Sequence, residues 1–172
     1  MIVGSTTGIA LAILVPVAIA GLIALVNALL AQVSAATSRR RESYASAVRT
    51  LVSWIEFPFR IRRRVDDEPE TLAGLAERGH AIQEQLEYNR AWIVTESSRV
   101  ASVYAAVLDQ VNAVVGPAAR EAWMSGPASV PSDMVLGPVM DRDRCMAALV
   151  ELEAAIGRRF GWGRFWPWHG AP

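Results

Sequence analysis

The sequence has no lysine, a single cysteine and only two histidines, and residues 1–38 carry no charge of either sign. Each shortage excludes something. Cys145 alone closes no disulfide within the chain and builds no all-cysteine zinc site. With all 17 basic residues arginine, the basic charge sits on the side chain that best matches phosphate, although a GC-rich genome alone favours arginine codons. No alternating run of useful length reads as a strand, and no hairpin turn separates two such runs. A glycine-rich phosphate loop, a nucleophile elbow and zinc-ligand spacing are all missing. No catalytic residue, metal site or cofactor is therefore expected. What is present is apolar and ordered: 52% of residues are hydrophobic and 20% charged, which excludes disordered and collagen-like chains.

The net charge of zero hides a strong segregation. Residues 39–64 hold eight arginines against Glu42 and Glu56, a balance of +6. Residues 65–156 hold fifteen acids against six arginines, a balance of −9. Arg158, Arg159 and Arg164 return +3.

Before the first charge lies the run IALAILVPVAIAGLIALVNALLA, residues 9–31, with Asn27 its only polar side chain. As a helix it extends roughly 35 Å, enough for a hydrocarbon core of about 30 Å. Pro16 is expected to kink it, which membrane helices tolerate. A cleaved signal peptide is the competing reading, with Ser34 and Ala36 as a small-x-small cleavage site. The run is too long for that, and no basic segment precedes it. Arg39, Arg40 and Arg41 directly after the run set the orientation. The positive-inside rule expects the N-terminus outside and the remainder in the cytoplasm, beneath the plasma (inner) membrane. Gly4, Gly8, Ala12, Ala20, Ala24 and Ala28 recur at four-residue intervals, a stripe that lets two spans approach closely.

Four regions are expected: an anchor (1–36), a juxtamembrane arm (37–64), a helical body (65–157) and an Arg/Trp-rich tail (158–172). In the arm, Tyr44, Val48, Leu51, Val52 and Ile55 share a helical face, Ser38 is a possible cap, and Pro58 ends or bends the helix. Trp54, Phe57 and Phe59 beside Arg60, Arg62, Arg63 and Arg64 suit the headgroup layer, with rings at the interface and guanidinium groups on anionic lipid. The same arginines suit a nucleic-acid backbone, but no nucleic-acid-binding motif surrounds them. In the tail, Phe160, Trp162, Phe165, Trp166 and Trp168 fall within nine residues. Three destinations compete for it: the same leaflet, a groove on a protein partner, or the helical body itself.

The body opens with acids and Pro69, which are helix-start signals. Leu72, Leu75, Gly79, Ile82, Leu86, Asn89 and Ile93 follow at alternating three and four, a heptad-like seam with Gly79 and Asn89 as odd members; Ala76, Tyr88 and Trp92 widen it. A break at residues 95–98 precedes a helix bearing Val100, Val103, Tyr104, Val107, Val111 and Val114, weakening at Gly116 and Pro117. Residues 125–138, with three prolines and two glycines, read as a loop. The last helix starts near Val139 or Asp141, turns Met146, Leu149, Val150, Leu152 and Ile156 inward, and ends at its basic last turn. The fold class is therefore all-α: one N-terminal transmembrane helix followed by a small cytoplasmic helical bundle.

Glu77 and His80 have the Glu-x-x-His spacing of di-iron helices, with Glu84 one turn on. Such a site needs a second copy and further carboxylates, so a solvated helix face is the simpler reading. Isolated Cys145 reads as a small core residue.

The combination of YASAVRTLVSWIEFPFRIRRR (44–64) with GHAIQEQLEYNRAWIVTES (79–97) resembles a group of uncharacterised single-span membrane proteins of actinobacteria and their phages. The resemblance covers roughly residues 44–98 and implies a provenance, not an activity. Three functions follow: a membrane-anchored interaction or scaffold protein contacting anionic lipid and a protein partner or a second copy; a phage-type effector, in superinfection exclusion or holin-like permeabilisation, acting through the small-residue stripe; and, more remotely, a metal-dependent enzyme at Glu77 and His80. Nucleic acid is not an expected partner.

Overall fold

The structure is a computed structural model that describes residues 6–130, 133 and 140–161; the side chains of residues 6–23 and 26 also lie outside the description. The described residues are all-α, with no strand among them. The elements are α1 (Thr6–Ile55), the single-turn α2 (Phe57–Arg62), α3 (Pro69–Glu96), α4 (Ser98–Met124) and α5 (Arg142–Phe160). The chain divides into two compact units, Met1–Glu42 and Ser43–Pro172.

The first unit is the N-terminal part of α1, helical throughout the apolar run and through Pro16. No break occurs at Ser38. The helix runs on through Ser38, and at the residue before it Thr37 Oγ1 donates to the Val33 carbonyl four residues back, at 2.9 Å. Such back-bonding lets threonine sit in a helix interior.

The second unit is organised by side-chain pairs along α1. Phe57 lies against Gly79, Thr50 against Asn89 and Tyr44 against Glu96, so α3 runs back along α1. Trp54 meets Asn112 and Arg64 meets Ala122, so α4 runs outward again. Arg142 meets Glu56 and Phe160 meets Tyr44, so α5 returns to where α1 comes in. Tyr44, Leu51, Ile55, Ile61, Leu86, Ile93, Val107, Val111, Leu149 and Leu152 are core members. Burying each such side chain contributes about 1.5–3 kcal/mol before conformational entropy is subtracted.

Segment boundaries follow local chemistry. Pro58, in the first turn of α2, lacks the N–H that would extend α1; the chain turns at Glu56 and restarts. Glu68 precedes Pro69 at the start of α3. Ser97 caps α4 by accepting from the Val100 N–H at 3.4 Å, and Asp141 caps α5 by accepting from Arg144 at 3.0 Å. α4 continues as helix past Gly116 and Pro117 to Met124.

The α3 seam is buried from Gly79 onward, at Ile82, Leu86, Asn89 and Ile93. Both odd members have reasons. A Cβ at Gly79 would stand 2.8 Å from Phe57 Cζ, so the missing side chain makes room for the tip of the buried ring. Asn89 donates to Thr50 Oγ1 at 3.2 Å and accepts from Gln85 at 3.1 Å, so its burial leaves no lone polar group. Several expected inward positions are corrected. Ala76 and Tyr88 face solvent, as does much of Val52. On α5, Met146 and Val150 are exposed, and the inner stripe is Cys145, Ala148, Leu149, Leu152 and Ala155. Leu149, Leu152 and Ile156 lie on the inner side as expected, and only Met146 and Val150 turn outward.

Among the described residues one helix, α4, is long and apolar enough to cross a membrane. Its position argues for a core role instead. Val100, Tyr104, Val107, Val111, Val115 and Ala118 are buried against the other helices of the unit, and Asp109 is exposed midway along it. A helix with a buried apolar stripe and a charged outer face matches a globular core.

Candidate functional site

The second unit has two chemically different ends. At the end away from Tyr44, α2 meets the C-terminus of α4. Arg64 is buried, with its Nη1 donating to the carbonyls of Ile61 at 3.0 Å and Ala122 at 2.9 Å. Its Nη2 donates to the Ser125 carbonyl, and its Nε pairs with Asp67 Oδ1 at 2.5 Å. Arg62 donates to the Gly126 carbonyl at 2.7 Å. The last carbonyls of a helix lack intrahelical donors and carry the negative end of its dipole. Arg64 and Arg62 supply both a donor and a charge there.

Three residues expected at a lipid surface, Trp54, Phe57 and Arg64, lie in the interior instead. Trp54 is buried and its indole donates to Asn112 Oδ1 at 2.9 Å; Phe57 stacks beside it at 5.7 Å and covers Gly79. Arg64 is enclosed by backbone oxygens. These three belong to the interior because Ser43 to Arg64 is part of the same compact unit as α3, α4 and α5 and not a separate arm. Phe59 and Arg62 are half-buried, whereas Arg60 and Arg63 are exposed, with the Arg63 guanidinium 5.6 Å from the Phe59 ring centre.

At the other end, Tyr44 sits between two aromatic edges, Trp92 at 4.9 Å and Phe160 at 5.6 Å. Its hydroxyl donates to Glu96 Oε2, while Arg159 Nη2 donates to Glu96 Oε1 at 3.0 Å. The Glu96 carboxylate, 9% exposed, is thus held by a phenol and a guanidinium. Beside this network lies an open cleft of about 920 Å³ between the first turn of α4 and the last turn of α5. Arg99, Arg158, Arg159, Ser97 and Ser98 are among its lining residues.

The remaining expected residues are scattered. Arg39, Arg40 and Arg41 are exposed on α1. Ala24 and Ala28 are exposed; Gly4 and the side chains at Gly8, Ala12 and Ala20 lie outside the described residues. Trp162, Trp166 and Trp168 also lie outside them; Phe160 and Gly161, which lead into the tail, are at the Tyr44 end. Glu77, His80 and Glu84 are exposed on α3, and among the described residues no three His, Cys, Asp or Glu side chains gather as a metal site. Cys145 is buried, and burial, reinforced by the Asp141 carboxylate, pushes its thiol up and away from the reactive thiolate. Burial likewise raises Tyr104 to about 12, and its hydroxyl donates to the Leu86 carbonyl at 3.3 Å.

The cleft escaped sequence reasoning because its arginines come from α4 and the end of α5, about 60 residues apart in the chain and with no shared motif. The only signal was the pair of start and stop features around residues 97–99 and 157–161. Comparison with protein-family models, with curated proteins and with solved structures finds no match.

Proposed function

We propose that this is a single-pass membrane protein in which residues 9–31 anchor a small helical bundle to the inner membrane, N-terminus outside and bundle in the cytoplasm. The bundle serves as an interaction module for lipid and for a protein partner or a second copy. One observation carries this reading: 23 uncharged, almost wholly apolar residues fall inside the continuous helix α1, and Arg39, Arg40 and Arg41 follow them. A helix satisfies its own backbone in hydrocarbon, and three arginines are held on the cytoplasmic side.

The distribution of function within the bundle follows from what remains on its surface. Arg60 and Arg63 are the exposed members of the basic cluster. The Trp-rich tail, with Trp162, Trp166 and Trp168, follows α5 from the end where Tyr44 lies, thirteen positions beyond Ala31.

The test is extraction of membranes from cells making the full chain. Alkaline carbonate strips peripheral proteins and leaves spanning ones. The chain is expected in the washed pellet and to need detergent for release; its appearance in the carbonate supernatant would refute the anchor.

A further inference from the structure

Arginines from two helices line one cleft, between the first turn of α4 and the last turn of α5, wholly within the second unit. Its charged lining residues are Arg99, Arg158, Arg159 and Glu96, a formal balance of +2. Arg159 Nη2 and the Tyr44 hydroxyl hold the two oxygens of the Glu96 carboxylate, so that acid and Arg159 cancel each other. The uncompensated charge belongs to Arg99 and Arg158, which are exposed and make no ion pair among the described residues. Ser97 and Ser98 bring two hydroxyl groups to the same wall. The Ser97 oxygen accepts from the Val100 N–H at 3.4 Å, which leaves its own proton to donate. Ala155, Gly157 and Gly161 carry no long side chain into the cleft, so its volume of about 920 Å³ has room for an organic group beside the charge.

We propose that this cleft binds the phosphate of a phosphate monoester, with Arg99 and Arg158 as direct ligands, the Ser97 and Ser98 hydroxyls as further donors, and Arg159, fixed by Glu96, as a positioning residue. A phosphate monoester carries close to two negative charges at neutral pH, because its second pKa is about 6. Two guanidinium groups without counter-ions match that charge, and their forks match phosphate oxygens two at a time. The ligand set is made by side chains of both helices; the start of α4 only adds its dipole to their field. The proposal goes beyond the anchored-module reading and does not depend on whether the first unit crosses a membrane.

Phenylglyoxal modification of the full chain in mild detergent, followed arginine by arginine with peptide mass spectrometry, tests this. The probe is glycerol phosphate, against sodium chloride at matched ionic strength. A site of roughly millimolar affinity is about nine-tenths filled at about 10 mM ligand, so modification of Arg99 and Arg158 should slow about tenfold. Arg120, exposed on α4 outside this cleft, should react at an unchanged rate. In Arg158→Gln, the protection of Arg99 should largely be lost, because one fork no longer meets the phosphate. Phosphatidic acid in mixed micelles presents the same monoester on a lipid. Protection by glycerol phosphate assigns a soluble ligand, and protection by phosphatidic acid alone assigns a lipid; either supports the phosphate site. Protection by neither, equal slowing at Arg120, or full protection of Arg99 in Arg158→Gln would each overturn it. Carbonate extraction scores the anchor separately.

Discussion

Arg64 shows how one side chain changes meaning between sequence and fold. In the sequence it is the last member of a basic run, equivalent to Arg60 and Arg63. In the fold its acceptors at Ala122 and Ser125 stand 58 and 61 residues away, and it closes the C-terminus of α4. Replacing it strands buried carbonyls and Asp67. Arg64→Met is therefore expected to lower stability by about 3 kcal/mol, while Arg60→Met and Arg63→Met stay within about 0.5 kcal/mol of the parent. Denaturant titration of the full chain in detergent, followed by circular dichroism, checks the contrast. Equal small losses at all three positions would return Arg64 to the surface. The same logic applies at Gly79, where the absence of a side chain makes room for the Phe57 ring.

At the scale of elements, helix existence was legible and helix extent less so. The α3 seam, the start at Pro69, the Ser97 break and the basic end of α5 follow local rules, because capping and periodicity are set by neighbours within one or two turns. The run of α1 through Ser38 was not legible, since a hydroxyl that caps forward and one that bonds backward, as Thr37 does, look alike in a sequence. Nor was the arm: aromatic residues beside arginines describe both a headgroup layer and the closed end of a helical core. The acceptors that decide between them come from another helix. On α5, Leu149, Leu152 and Ile156 were legible, whereas Met146 and Val150 were not, because they are at least as apolar as Ala148 and Ala155, which are buried. Capping yields a ranking. Asp141→Ala should cost about 1 kcal/mol, and Ser97→Ala less, because the Asp141 bond is shorter and carries a charge onto the dipole. Thermal melting of both variants measures it; a larger loss for Ser97→Ala would show that α4 depends on its cap more than α5 does.

For the whole molecule, the two units divide the labour. The first supplies an apolar helix, and the second a core that needs only the chain from Ser43 onward to close around α4. The arginines at the two ends of the second unit do different work: Arg62 and Arg64 bond the C-terminal carbonyls of α4 near α2, and Arg159 pairs with Glu96 beside the cleft. Orientation is the claim on which the functional account depends, and Cys145 makes it measurable. Its buried thiol, pushed up by burial, gives little background to maleimide labelling. With Ser5→Cys and, separately, Glu153→Cys in the full chain, a membrane-impermeant maleimide applied to intact cells is expected to label the first and to reach the second only after permeabilisation. Labelling of Glu153→Cys in intact cells, or protection of Ser5→Cys until lysis, would contradict it.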